Sequence, residues 1–195
     1  MKRSAIITFV LWMVLMGNTT TGYAQEKLER EYHIRAGAVP QKASELVSRL
    51  FEGAKPVWHG EESLSGTTIE GKFKYQGRRY SVEFDSSGRL EDIEVLTRMN
   101  SIPKNARETL SRALEDSFSR YRVVKTQIQW RGSEKELKQA IEEGVQSMIP
   151  AIRYELVVRG KKKDMTRYYE VQANQDGTIR SIREIIQSNA SNLIY

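Results

Sequence analysis

From Ile69 to Leu96 the chain alternates apolar and polar residues with period two. Ile69, Gly71, Phe73 and Tyr75 interleave with Glu70, Lys72 and Lys74; Gln76-Gly77 turns the chain; Tyr80, Val82 and Phe84 then interleave with Ser81, Glu83 and Asp85. Asp85-Ser86-Ser87-Gly88 turns it again into Leu90–Leu96. This period assigns one face of an antiparallel meander to a core and the other to water. A second meander reads the same way. Ile152, Tyr154, Leu156 and Val158 alternate with Arg153, Glu155 and Arg159, and Gly160-Lys161-Lys162-Lys163 forms a hairpin tip. Met165–Ala173 returns toward Asn174-Gln175-Asp176-Gly177, and Thr178–Ile186 is the last strand. Ahead of each meander the period becomes that of a helix. Pro40 precedes a stripe of Ala43, Leu46, Val47, Leu50 and Phe51, and Pro103 precedes Ala106, Leu110, Ala113, Leu114 and Phe118. Proline suits the first turn of a helix, where its missing N–H would be unpaired anyway.

The two halves share more than a period. Val39-Pro40 is answered by Ile102-Pro103, and Tyr80-x-Val82…Gly88-x-Leu90…Ile93 by Tyr169-x-Val171…Gly177-x-Ile179…Ile182, with equal spacings from tyrosine to glycine to isoleucine. A long internal repeat argues for stacked modules, and an amphipathic helix is the natural cover for a half-buried sheet. The expected fold is therefore α+β: two tandem modules, each an α-helix packed on a four-stranded antiparallel β-sheet. Module 1 covers 38–100, with Val57-Trp58-His59 as its first short strand, and module 2 covers 101–186. An N-terminal arm at 25–37 precedes them, loosely held apart from a short strand around Tyr32 and Ile34, and a tail at 187–195 follows. Module 2 departs from the repeat. Its first strand, Tyr121–Trp130, is longer, and a helix at 133–148 is inserted after it. That helix opens on the capping box Ser133-x-x-Glu136 and carries Leu137, Ala140, Ile141, Val145 and Met148 on one stripe.

The order of a Val39-Pro40 helix, a Gly53-Ala54-Lys55…Val57-Trp58 strand and the segment Tyr80-x-Val82-x-Phe84-Asp85-x-x-Gly88-x-Leu90 resembles the PepSY-like family of exported bacterial proteins. That family is related in fold to the tandem-repeat β-lactamase inhibitor protein. Residues 80–90 match best, and Tyr169–Ile179 less well, with Ala173 and Asn174 where the first copy has Phe84 and Asp85. The resemblance runs over about residues 38–186, and the inserted helix departs from it. It implies a helix on a four-stranded antiparallel sheet, alone or in tandem, and an exported location. It also implies a role in binding or inhibiting exported enzymes, with no catalytic residues. No inhibitory residue carries over.

The compartment follows from the N-terminus. Lys2 and Arg3 precede the uncharged, mostly apolar run Ala5–Met16, then a polar stretch and Gly22-Tyr23-Ala24. This is the layout of a secretory signal peptide at 1–24, cleaved near Ala24. Its apolar run is shorter than the roughly 20 residues a membrane span needs, and no cysteine follows it for lipid attachment. The expected mature protein is periplasmic or secreted, with no stable membrane insertion. Its charge drops from +6 to +4 when Lys2 and Arg3 leave (+6 less 2). A mixed surface of this kind, outside the cell, argues against nucleic acid, which asks for basic residues concentrated on one face. With no cysteine in the chain, disulfides, thiolate zinc sites and cysteine catalysis are excluded.

Candidate chemistry is sparse. His33 and His59 are the only histidines, and there is no His-Glu-x-x-His, Gly-x-Ser-x-Gly or phosphate-cradling glycine loop. His59, beside Trp58 and just ahead of Glu61 and Glu62, admits an acid–base or metal site, but a lone histidine at a strand end without partner ligands is more often solvated. Carboxylate neighbours such as Glu91/Asp92 and Glu142/Glu143 point apart on a strand or helix. No catalytic, metal or cofactor residue is assigned, and the expected role is binding. The candidate binding residues are Arg78 and Arg79 at one hairpin tip, Lys161, Lys162 and Lys163 at the other, and Lys72, Lys74, Arg153, Glu155 and Tyr168 on the wet sheet face. The basic tips would form a salt-sensitive rim for an acidic partner. A concave two-module sheet could cup an exported or envelope protein. The alternative is a peptide, lipid or envelope glycan held in a pocket, and behind it stands an envelope hydrolase.

Overall fold

The structure, a computed structural model, describes residues 25–63, 66–143, 149 and 151–187. The expected signal peptide, the Val145 and Met148 end of the inserted helix, and residues 188–195 lie outside the described residues. In chain order the elements are β1 (Gln25–Ile34), α1 (Gln41–Leu50), β2 (Val57–Ser63), β3 (Gly66–Tyr75), β4 (Arg78–Asp85), β5 (Leu90–Thr97), α2 (Lys104–Ser117), β6 (Arg120–Arg131), α3 (Glu134–Glu143), β7 (Ala151–Lys162), β8 (Met165–Asn174) and β9 (Ile179–Gln187). A single 3-10 turn precedes α1 (Ala36–Ala38) and another precedes α2 (Met99–Ser101), so the repeat begins earlier than its prolines.

Among the described residues the fold is α+β, with one nine-stranded sheet and three α-helices. Each strand pairs antiparallel with the next from β1 to β9, and β1 also pairs in parallel with β9, which closes the sheet into a barrel. One open point closes here and one expectation changes. The four strands that follow α1 and the four that follow α2 do not form separate sheets, because β5 pairs with β6 from Ile93↔Trp130 to Thr97↔Thr126. The supposedly loose arm is a ten-residue strand bonded on both sides. One physical reason covers both: an unpaired strand edge leaves a row of backbone donors and acceptors open, and closing the ring leaves none.

The apolar positions of the meanders face outward and are covered by the helices. Ala43, Leu46, Val47 and Leu50 of α1, Ala106, Leu110 and Leu114 of α2, and Leu137, Ala140 and Ile141 of α3 are buried in one cluster with Val82, Phe84, Ile93, Trp130, Leu156 and Val171 of the strands. Each fully buried Leu, Val or Phe contributes about 1.5–3 kcal/mol over its exposed state. The capping box forms as expected. The Ser133 N–H donates to Glu136 Oε2 at 2.8 Å and the Glu136 N–H to Ser133 Oγ at 3.4 Å. Arg49 of α1 then bonds Glu134 of α3 at 2.7 Å.

The shared residues of the repeat have a packing explanation. Phe51, just past α1, meets the Tyr80 ring at 4.9 Å, and Phe118, just past α2, meets the Tyr169 ring at 5.0 Å. Each helix start sits on a turn glycine. A Cβ on Gly88 would lie 2.8 Å from Pro40 Cβ, and a Cβ on Gly177 would lie 1.9 Å from the Ala106 carbonyl oxygen. Bulges at Glu83/Phe84 and Gln172/Ala173 occupy equivalent places before those turns and add local bend and twist.

The two kinds of turn glycine should therefore respond differently to alanine. Gly77 has φ +77° and open space around its Cβ position, so Gly77→Ala should cost only the left-handed backbone penalty of about 1–2 kcal/mol. Gly177→Ala adds a collision with helix backbone and should cost more than about 3 kcal/mol, read from urea unfolding. Equal losses would contradict the packing of α2 on its turn.

Candidate functional site

The face that the sequence assigns to water lines the inside of the barrel. Every second residue of a closed ring must point inward, and here those residues are polar. Ser81, Asp92, Glu94, Gln127, Gln129 and Glu170 are all buried, Glu94 being only 3 % exposed. The sheet is curled tightly enough for groups to act across the lumen. Glu155 of β7 bears on Glu83 of β4, and Lys125 of β6 on Glu70 of β3. A flat sheet would hold such strands about 14 Å apart, three spacings of about 4.8 Å.

One lysine organises the interior. Lys72 Nζ lies 2.8 Å from Glu31 Oε1 of β1 and 2.8 Å from Glu70 Oε2 of β3. Ser81 donates to the other oxygen of Glu70. Burial alone would lower the lysine pKa and raise that of Glu70. The mutual charge and hydrogen bonds win instead, so Lys72 is pushed above its ordinary value and Glu70 below. His59 Nδ1 lies 2.9 Å from the same Glu31 oxygen. Burial, followed by the Lys72 charge, holds this imidazole below its usual value, and it is neutral at neutral pH. The sequence pairs His59 with Glu61 and Glu62, whereas the structure pairs it with Glu31. Glu62 instead reaches toward Arg30 at 3.8 Å.

Behind Lys72 the carboxyls crowd. Oxygens of Glu70, Glu83 and Glu94 converge within 4.8 Å of one another. Glu94 accepts from Gln127 Nε2 at 2.5 Å. Burial raises the Glu94 carboxyl well above its ordinary value, and Glu155 and Asp92 add repulsion. Burial does the same to Glu83, aided by Glu94 and Asp92. Glu83 and Glu94 thus hold their protons to higher pH than surface carboxyls do, whereas Glu70 stays charged beside Lys72. Such a group can accept a cation, and Lys72 already places one against Glu70.

The tip end of the lumen opens into a recess of about 430 Å³ lined by Val57, His59, Lys72, Lys74, Arg79, Leu96, Lys125 and Gln127, among others. Further along the same face a second recess of about 410 Å³ is lined by Arg120, Tyr121, Arg122, Arg159, Lys161, Asp164 and Thr166. In that second recess like charges stand directly opposite each other in the ladder, Arg120 against Lys161 and Arg122 against Arg159.

The ten sequence-chosen residues are thus divided. Lys72 is interior. Lys74 and Arg79 line the first recess and Lys161 the second. Tyr168 stands opposite Arg159 and is 36 % exposed. Lys162 points the other way, over the Phe118 ring at 4.9 Å and the Tyr169 ring at 5.1 Å, so it serves packing. Lys163 is the left-handed residue of its turn, with φ 50°. Arg78 is exposed, directly opposite Tyr75. Glu155 faces the lumen opposite Gln172, and Arg153 lies at the far end, near Arg131 and Arg180. The expectation of a wholly solvent-exposed face is corrected: Ser81, Glu94, Gln127 and Glu170 of that face are buried, while Lys74, Arg79 and Tyr168 stay exposed at its rim. Arg120, Arg122, Lys125 and Glu31 were missed. A bulge between Val123 and Lys125 shifts the register of β6 and brings onto one face Arg122 and Lys125, which strict alternation would put on opposite faces, and nothing in the sequence pairs β1 with β2.

Among solved structures the chain is similar to a BLIP-like protein from Bacteroides fragilis, with 14 % identity, a TM-score of 0.49, and 78 % of this chain and 91 % of that one covered. It is also similar to a DUF2874 family protein from Bacteroides ovatus, with 9 % identity, a TM-score of 0.51, and 75 % and 87 % covered. At such identity the second likeness is one of fold alone, and it supports the α+β assignment. No family model and no curated protein matches the chain. The PepSY-like resemblance therefore rests on its short motifs.

The raised interior carboxyls set a pH dependence. A carboxyl whose folded value lies above its unfolded one gives stability that is complete below the unfolded value and lost as pH rises toward the folded one. Glu94→Gln should therefore raise the thermal midpoint at about pH 8 and leave it nearly unchanged at about pH 4. An equal or opposite effect at the higher pH would contradict the buried, protonated state of Glu94.

Proposed function

We propose that this protein is an exported, non-enzymatic binding protein that receives an acidic segment of another exported or envelope protein in the recess of β6, β7 and β8. The observation that carries this is the ladder of like charges, Arg120↔Lys161 and Arg122↔Arg159. Like charges directly opposite on a sheet destabilise it, by roughly 0.2–1 kcal/mol per pair. Asp164 is the single acid in the lining, 3.4 Å from Lys161, and it leaves three arginines for an incoming partner. Carboxylates set between opposing arginines would turn each repulsive pair into two charge-assisted hydrogen bonds. Tyr168, opposite Arg159, adds a flat and partly exposed contact of the kind that anchors interfaces. Such a surface gains on-rate and specificity from charge, and an inhibitor-like role follows if the acidic segment belongs to an exported enzyme.

The export half of the reading rests on the Lys2–Ala24 pattern. The non-enzymatic half is supported by the role of His59. Its carboxylate partner Glu31 is shared with Lys72, so the pair belongs to the charge network that holds the lumen together.

The test is capture from an envelope extract by immobilised protein. The wild type should retain an acidic protein at low salt and release it at high salt. Arg122→Gln/Arg159→Gln should bind that protein at least about tenfold more weakly, about 1.4 kcal/mol. Equal retention by the double variant, or nothing retained at low salt, would contradict the proposal.

A further inference from the structure

The recess at the tip end of the lumen has a chemistry of its own. We infer that it binds a small organic anion with an apolar body, of the monocarboxylate class, held by Lys74, Arg79 and Lys125 at its head and by Val57 and Leu96 along its body. The inference rests on different residues from those of the β6–β8 recess and does not depend on a protein partner.

The charge is the first argument. Lys74 stands directly opposite Arg79 across β3 and β4, and Lys125 of β6 lines the same recess. Among the described residues none of these three has an ion pair, whereas Lys72 in the same wall is held by both Glu31 and Glu70. The like-charge contact between Lys74 and Arg79 is relieved when a carboxylate sits between them. The acids beneath oppose it only in part. Lys72 bridges Glu31, which also lines the recess, and Glu70, while burial raises the Glu83 and Glu94 carboxyls well above their ordinary value and so reduces their charge.

The apolar part is the second argument. The inner face from β2 to β6 is polar at nearly every position, carrying His59, Glu61, Glu70, Lys72, Ser81, Glu83, Asp92, Glu94, Gln127 and Gln129. Its two aliphatic residues are Val57, opposite Lys72, and Leu96, opposite Gln127. Both line this one recess. Val57 is 50 % exposed, an unused apolar contact beside three cations, of which Lys125 also acts at a distance on Glu70 and Glu94. The volume, about 430 Å³, falls within the range of small-molecule sites, about 300–1,000 Å³. A bare inorganic anion would leave most of that space and both aliphatic side chains unfilled. An acidic protein segment would have no need of them.

Isothermal titration with sodium decanoate below its micellar concentration, decanol and inorganic phosphate tests this directly. Decanoate should bind one to one, and decanol and phosphate at least about tenfold more weakly. Lys125→Gln and Leu96→Gln should each weaken decanoate about tenfold or more. Arg79→Gln, a change at an exposed position, gives the same readout if either of those variants loses its thermal unfolding transition. Arg122→Gln/Arg159→Gln should leave decanoate binding unchanged, which separates this site from the protein-binding recess. Absence of saturable decanoate binding overturns the inference. Phosphate or decanol binding as tightly as decanoate overturns it too, as does equal weakening by the β6–β7 double variant. None of those three results bears on the capture experiment.

Discussion

A closed ring of strands puts every second residue inside, and in this chain those residues carry charge. An ion removed from water costs several kcal/mol unless it is paired and hydrogen-bonded. Lys72 meets that condition by bonding Glu31 of β1 and Glu70 of β3 at once. The strand between them, β2, contributes His59 to the same carboxylate. Closing the N-terminal side of the barrel and pairing its interior charges are therefore the same set of contacts. The remaining interior acids differ: burial and mutual repulsion raise Glu83 and Glu94 well above the ordinary carboxyl value, and the Lys125 charge offsets this only in part at Glu94.

The outer and inner faces of the sheet obey different rules. Aligning Tyr80 with Tyr169 and following the ladders outward, the outer positions agree in kind. Phe73 corresponds to Val158, Val82 to Val171, Ile93 to Ile182, and each tyrosine meets the phenylalanine that ends its helix. The inner positions diverge. Lys72 corresponds to Val157, Ser81 to Glu170 and Glu94 to Arg183. The second half solves its own pairing problem with Arg183 on Glu170 at 3.1 Å. Lys74 and Arg159 are equivalent cations, one in each recess, while Arg79 is matched by Tyr168. One scaffold thus presents two basic openings of different composition, which suits two different ligands.

How much of this was legible in the chain depends on the range of the interaction. Local signals read correctly: the Ser133/Glu136 capping box, the turn glycines, the apolar stripes under Pro40 and Pro103, and the tip at Gln76-Gly77; the second tip, expected over Gly160–Lys163, sits at Lys163-Asp164 because β7 runs on to Lys162. Alternation also gave the right parity for Glu70, Lys72, Glu83, Glu155 and Glu170. It could not say that the polar parity faces an enclosed space, because period two is the same for water and for a polar lumen. Closure depends on β1 pairing β9, at opposite ends of the chain, and no local pattern reports that pairing. For the same reason the partner of His59 was sought among its sequence neighbours instead of at Glu31. The β6 bulge hid the cations that matter most in the proposed sites, by moving Lys125 onto the face of Arg122.

The central claim is that the polar sheet face is an enclosed lumen, and the titration of its glutamates tests it most directly. Side-chain carboxyl carbon-13 shifts, assigned with Glu83→Gln and Glu94→Gln, should show two glutamates that do not titrate near the ordinary value of 4.5 and lose their protons only well above it. If both titrate near 4.5, as on an open and solvated sheet, the lumen and the charge network built on Lys72 are contradicted.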